Sequence, residues 1–191
     1  MHRVLITDPL SSQGIEKLLT AEDVEVVQKT NLTKDELLLE IESADALLVR
    51  SQTKVTADVI EKASRLKVIA RAGVGVDNID VPAATRKGII VVNAPDGNTI
   101  STAEHTFAML ISLSRNIPQA YQSLIQGKWD RKKYVGIELN GKTLSIIGLG
   151  RIGSELAKRA KAFQMKVVAY DPYLSKERAE ELGVKQASFE E

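Results

Sequence analysis

The chain has 191 residues, 43% hydrophobic and 27% charged, a globular composition at the length of one large or two small domains. Its net charge of +1 leaves no surplus to suggest a nucleic-acid partner, and the absence of cysteine removes disulfides, thiolate metal sites and a cysteine nucleophile. No apolar run approaches the roughly 18 residues of a membrane span, and no charged-then-apolar leader opens the chain, so a cytoplasmic protein without a membrane partner is expected.

From residue 4 to 92, short β-branched runs alternate with amphipathic stretches. Residues 4–7, 24–27, 46–49, 67–70 and 89–92 read as strands, and residues 12–20, 33–43, 56–64 and 80–87 as helices. This alternation predicts a parallel sheet covered on both faces, and five strands suit a flavodoxin-like α/β domain with the order 2-1-3-4-5. Ligands bind such sheets at the carboxyl ends of the strands. Those ends carry Asp8-Pro9, Arg50-Ser51, Arg71-Ala72-Gly73-Val74-Gly75 and Asn93 to Asn98, so two arginines and glycine turns converge on one edge. An arginine fork suits carboxylate or phosphate, and glycine N–H groups suit a small anion; the same residues also serve as solvated strand ends and plain turns.

Residues 93–98 hold Pro, Gly and two Asn, which marks a break and sets expected domains of 1–97 and 98–191. Ser101-Thr102-Ala103-Glu104 has the form of a capping box opening a helix. That helix is apolar nearly all round as far as Leu113, so burial on more than one side and a subunit contact are expected. His105 lies inside it, cannot share a face with the adjacent Glu104, and reads as a structural histidine. Pro118 starts a further helix that ends at Gly127, and residues 128–141 form a charged loop in which Arg131, Lys132 and Lys133 read as a solvated face.

The next stretch carries the strongest signal. Residues 143–147 are a β-branched apolar run, Gly148-Leu149-Gly150-Arg151-Ile152-Gly153 follows at once, residues 154–163 have helical spacing, and a second apolar run ends on Asp171. Strand, glycine turn, helix, strand and acid compose a dinucleotide fingerprint. Gly148 permits the sharp exit from the strand, Gly150 lets the backbone approach a pyrophosphate, Gly153 lets the helix pack on the strand, and the anion sits at the helix N-terminus. Asp171 can accept both hydroxyls of an adenosine ribose and would repel a 2′-phosphate, which points to NAD rather than NADP.

Four stretches, LLVRSQTKVT (47–56), RAGVGVDNID (71–80), NAPDGNTISTAEHTFAMLI (93–111) and GKWDRKKYVGIELNGKTLSIIGLGRIG (127–153), together resemble the D-2-hydroxyacid dehydrogenase family, in order and through nearly the whole chain. The resemblance implies an NAD-dependent oxidoreductase acting on a small phosphorylated 2-hydroxy acid as a homodimer or higher homo-oligomer. It places Arg50, Ser51, Arg71, Gly73 and Gly75 on the substrate anion, and Val74 near the nicotinamide. Arg151 and Ile152 fall on the pyrophosphate, beside Gly148, Gly150, Gly153 and Asp171.

None of the family's catalytic residues has a counterpart here, and His105 does not stand at the place of the catalytic histidine. The sequence therefore reads as an incomplete N-terminal part, inactive alone. It comprises a flavodoxin-like substrate domain without any C-terminal return segment, then the first β-α-β of a Rossmann dinucleotide-binding domain, and stops in what looks like the start of a helix. Two other functions stay open: another dehydrogenase of the same family, of the glyoxylate or hydroxypyruvate reductase type, and a non-catalytic NAD-sensing module.

Overall fold

The computed structural model describes all 191 residues, which divide into two compact units, Met1–Gly97 and Asn98–Glu191. In the first, strands β1 (His2–Ile6), β2 (Val24–Gln28), β3 (Ala46–Val49), β4 (Val68–Arg71) and β5 (Ile90–Asn93) alternate with helices α1 (Ser12–Leu19), α2 (Lys34–Ile41), α3 (Ala57–Lys62) and α4 (Val81–Arg86). All strands are parallel, in the order β2-β1-β3-β4-β5.

The two-residue period of each strand decides which helices it meets. Leu5, Leu47, Val49 and Ile69 are fully buried and pack with Leu37 and Ile41 of α2, Val59 and Ile60 of α3, and Ala83 and Ala84 of α4. The opposite parity, Val4 and Ile6 with Ala46 and Leu48, packs on Ile15 of α1. Each such Leu, Ile or Val contributes about 1.5–3 kcal/mol by leaving water. On the edge strand β5 the same parity exposes Ile90 and Val92.

Helix starts are fixed by side chains: Ser11 accepts from Gly14 N–H, Asp80 from Ala83 N–H, and Thr33 with Glu36 forms a reciprocal capping box. Strand ends differ from the apolar runs by one or two residues because backbone pairing sets them. His2 joins β1, for example, with its N–H donating to Asp23 O at 2.7 Å.

The second unit opens with α5 (Thr99–Ser114) and α6 (Ile117–Ile125), and continues through β6 (Thr143–Ile147), α7 (Arg151–Ala162), β7 (Lys166–Tyr170), α8 (Lys176–Leu182) and β8 (Lys185–Gln186). The sheet is parallel in the order β6-β7-β8. It thus reaches a third strand, one more than the β-α-β read from sequence; β8 is two polar residues long and carries no apolar pattern. The core gathers Phe107, Ile146, Leu149, Ala157, Ala160, Val167 and Ala169, and Phe107 meets Phe163 edge-on at 4.8 Å. No helix is long and apolar enough to cross a membrane.

Two readings of this unit are corrected, the capping box at Ser101 and the structural role of His105. The first helix begins at Thr99 with Asn98 as its cap, and Ser101 lies inside it with its hydroxyl donating to Asn98 O at 3.2 Å, so no capping box forms there. The helix is buried along one face, through Ala103 and Phe107, and leaves Met109 and Leu113 exposed. His105 is on the exposed side and is no core histidine. An apolar sequence all round a helix did not reveal which stripe the sheet would take. At the C-terminus, Ser188 and Glu191 exchange the reciprocal bonds of a capping box.

Candidate functional site

β1, β3 and β4 are neighbours in the first sheet, so their carboxyl ends bring Asp8, Arg50 and Arg71 together. Asp8 is 1% exposed and accepts from the N–H groups of Arg50 at 2.5 Å, Gln52 at 3.2 Å and Thr53 at 3.1 Å, and from the Thr53 hydroxyl at 2.6 Å. From the other side, buried Asn78 donates its Nδ2 to Arg50 O at 2.8 Å and Thr53 O at 2.7 Å. The turn 50–53 is thereby held through both its N–H and its carbonyl groups, while the side chains of Arg50 and Ser51 stay exposed.

Arg50 and Arg71, paired by sequence, differ in state. The Arg50 guanidinium makes no bond to the protein, whereas Arg71 donates Nε to Arg50 O at 3.1 Å and a terminal nitrogen to Gly75 O, and faces Asp77 at 3.5 Å. Three of its five donors are thus committed, and two remain. Its guanidinium packs against the two glycines: a Cβ on Gly73 would stand 3.3 Å from an Arg71 terminal nitrogen, a contact that the flexible side chain can relieve. One on Gly75 would stand 3.2 Å from that nitrogen and 2.9 Å from Asp77. Asn93 donates to Val74 O at 2.6 Å and Ala94 N–H to Gly73 O at 2.9 Å, which anchor this turn to the end of β5. The N–H groups of Val74 and Gly75 have no protein acceptor.

In the second unit, Gly148 leaves β6 with φ +90°, a conformation that costs glycine little. A Cβ on Gly153 would stand 2.1 Å from Gly148 O, so the helix can approach the turn only with glycine there. Gly150 has the opposite surroundings: a Cβ would meet nothing within 4 Å, and the space over the turn is open. Gly150 caps α7 without a side-chain hydrogen bond, and the first-turn N–H groups of a helix have no intrahelical acceptor. Asp171, at the end of β7, accepts from Leu149 N–H and Tyr173 N–H, each at 2.8 Å. A carboxylate has about four acceptor positions, so both oxygens can still take a hydroxyl. Open space above Gly150, a helix N-terminus beneath it and an acid with spare acceptors together fit the pyrophosphate and ribose of a dinucleotide.

Residues 4–185 match the family described as D-isomer specific 2-hydroxyacid dehydrogenase, catalytic domain. The chain belongs to this family. Its relatives include a D-3-phosphoglycerate dehydrogenase of Methanocaldococcus jannaschii, 61% identical over 184 residues, covering 96% of this chain and 35% of that protein. Another, of Archaeoglobus fulgidus, is 55% identical over 188 residues, covering 98% of this chain and 36% of that one. The chain therefore spans about a third of the length of these relatives. Among solved structures, the D-lactate dehydrogenase of Aquifex aeolicus complexed with NAD and lactic acid superposes with a TM-score of 0.83 at 29% identity, over 98% of this chain and 56% of that one.

The site of this family member includes residues that motif reading passed over. Asp8 was visible only as a strand end, one of four. Asn78 gave no signal, because its partners Arg50 and Thr53 lie 28 and 25 residues away in sequence.

Proposed function

We propose that the chain is part of an NAD-dependent D-3-phosphoglycerate dehydrogenase, which oxidises 3-phosphoglycerate to 3-phosphohydroxypyruvate on the way to serine. The residues 1–97 hold the substrate anion, and the residues 98–191 begin the domain that holds the dinucleotide. The observation that carries this reading is the turn at 148–153, open over Gly150 and joined to the Asp171 carboxylate through Leu149 N–H.

In this reading Gly150, Arg151, Ile152 and Gly153 present N–H groups to the pyrophosphate, and Asp171 accepts the adenosine ribose hydroxyls. When bound, NAD accepts the hydride. The carboxylate makes NAD the better partner, since a 2′-phosphate would bring like charges together. The free guanidinium of Arg50, the Ser51 hydroxyl, the two spare donors of Arg71 and the N–H groups of Val74 and Gly75 serve a substrate with two anionic ends; Gly73 keeps the turn close to Arg71. Val74 lies by the nicotinamide. The names of the relatives support the substrate, and the solved NAD complex of a family member supports the cofactor.

The test is NADH formation by the complete protein offered 3-phosphoglycerate, D-glycerate and D-lactate in turn. The phosphorylated acid should give the highest kcat/KM. A preference for the unphosphorylated acids indicates a reductase of another branch, and NAD binding without turnover of any acid indicates a sensing module.

A further inference from the structure

We infer that Asp8 is a positioning residue for the acid substrate: its buried carboxylate fixes the backbone at Arg50 so that the Arg50 side chain stands ready for the substrate anion. The inference rests on the reading of the Arg50 turn proposed above. A carboxylate taken out of water must be repaid by hydrogen bonds or a countercharge. No cation pairs with Asp8; what it has instead is three backbone N–H groups and the Thr53 hydroxyl, all from residues 50–53. With its own proton given to Asp8, the Thr53 hydroxyl accepts from the Thr7 hydroxyl at 2.9 Å, so Thr7 and Asp8, the two residues that follow β1, hold the same segment.

The arrangement is selective in what it immobilises. Arg50 is tied at its N–H by Asp8 and at its carbonyl by Asn78 and Arg71, yet its guanidinium has no partner. A turn that only joined β3 to α3 could be solvated at no such cost, whereas an anion-binding arginine loses affinity when its backbone drifts by a fraction of an ångström. Asn78 serves the same end: its Oδ1 is buried without a partner, and its amide is kept there by the two carbonyls that Nδ2 satisfies.

The experiment compares the complete enzyme with Asp8→Asn, Arg50→Ala and the double variant, measuring KM for 3-phosphoglycerate, KM for NAD, and amide hydrogen exchange at Arg50, Gln52 and Thr53. Asp8→Asn should raise KM for the acid by about tenfold, the scale of a lost charged hydrogen bond, with KM for NAD unchanged and exchange at those three amides faster. With Arg50 already replaced, it should add little, since both changes act on one contact. Thr53→Val keeps the carboxylate and removes one donor; if the Asp8 variant does not fold, this one should raise the same KM several-fold. An unchanged KM in the Asp8 and Thr53 variants beside a raised KM in Arg50→Ala overturns the positioning role alone. Full additivity in the double variant does the same, by showing that Asp8 acts on the fold at large. An unchanged KM in Arg50→Ala overturns the reading of the turn itself, and the inference with it.

Discussion

Asp171 shows how much one side chain can be asked to do. Each of its oxygens already accepts a backbone N–H at 2.8 Å, one from the glycine turn and one from Tyr173. Its carboxylate therefore shapes the turn as well as offering acceptors to a ribose. Asp171→Ala in the complete enzyme should weaken NAD by at least tenfold, on the order of the 1.5–3 kcal/mol of a charged hydrogen bond, while NADP loses less because a repulsive charge goes with the acceptor. The ratio of the two dissociation constants, measured by fluorescence titration, checks this; equal losses would remove Asp171 from the ribose. This residue was legible because its distance from the third glycine is set by one helix and one strand. Asp8 was not, because its meaning depends on a turn more than forty residues away that only the sheet order brings beside it.

Among the elements, the turn from β6 into α7 has the narrowest tolerance. The 2.1 Å separation between a Cβ on Gly153 and Gly148 O cannot be relieved by a rotamer, since the atom met is backbone. Gly153→Ala should push the helix off the strand, lower stability by about 1–3 kcal/mol and reduce dinucleotide affinity, whereas Gly150→Ala should leave stability nearly unchanged and reduce affinity by filling the open space. Thermal melts with and without NAD separate the two; equal destabilisation by both changes would contradict the assignment. Strands, helices and the order β2-β1-β3-β4-β5 were readable because period-two apolar runs alternate with helical spacing. The burial of α5 was not readable: its sequence is apolar on every side, and only the position of Phe163 and the β6 sheet selects the Ala103 and Phe107 face. β8 escaped for the opposite reason, since Lys185 and Gln186 become a strand by pairing with Val168 and Ala169 rather than by their own character.

At the scale of the whole molecule, the proposal assigns the acid to one compact unit and the dinucleotide to the other. Substitutions of residues that hold different ligands should each move chiefly the constant of their own ligand. The most direct measurement is initial-rate NADH formation by the complete protein, at varied 3-phosphoglycerate and varied NAD, for the parent, Arg50→Ala and Asp171→Ala. Arg50→Ala should raise KM for 3-phosphoglycerate by about 10–100-fold, the equivalent of 1.5–3 kcal/mol, and leave KM for NAD in place, while Asp171→Ala does the reverse. Failure of the parent to oxidise 3-phosphoglycerate, or a shift of both constants together in both variants, would contradict the account.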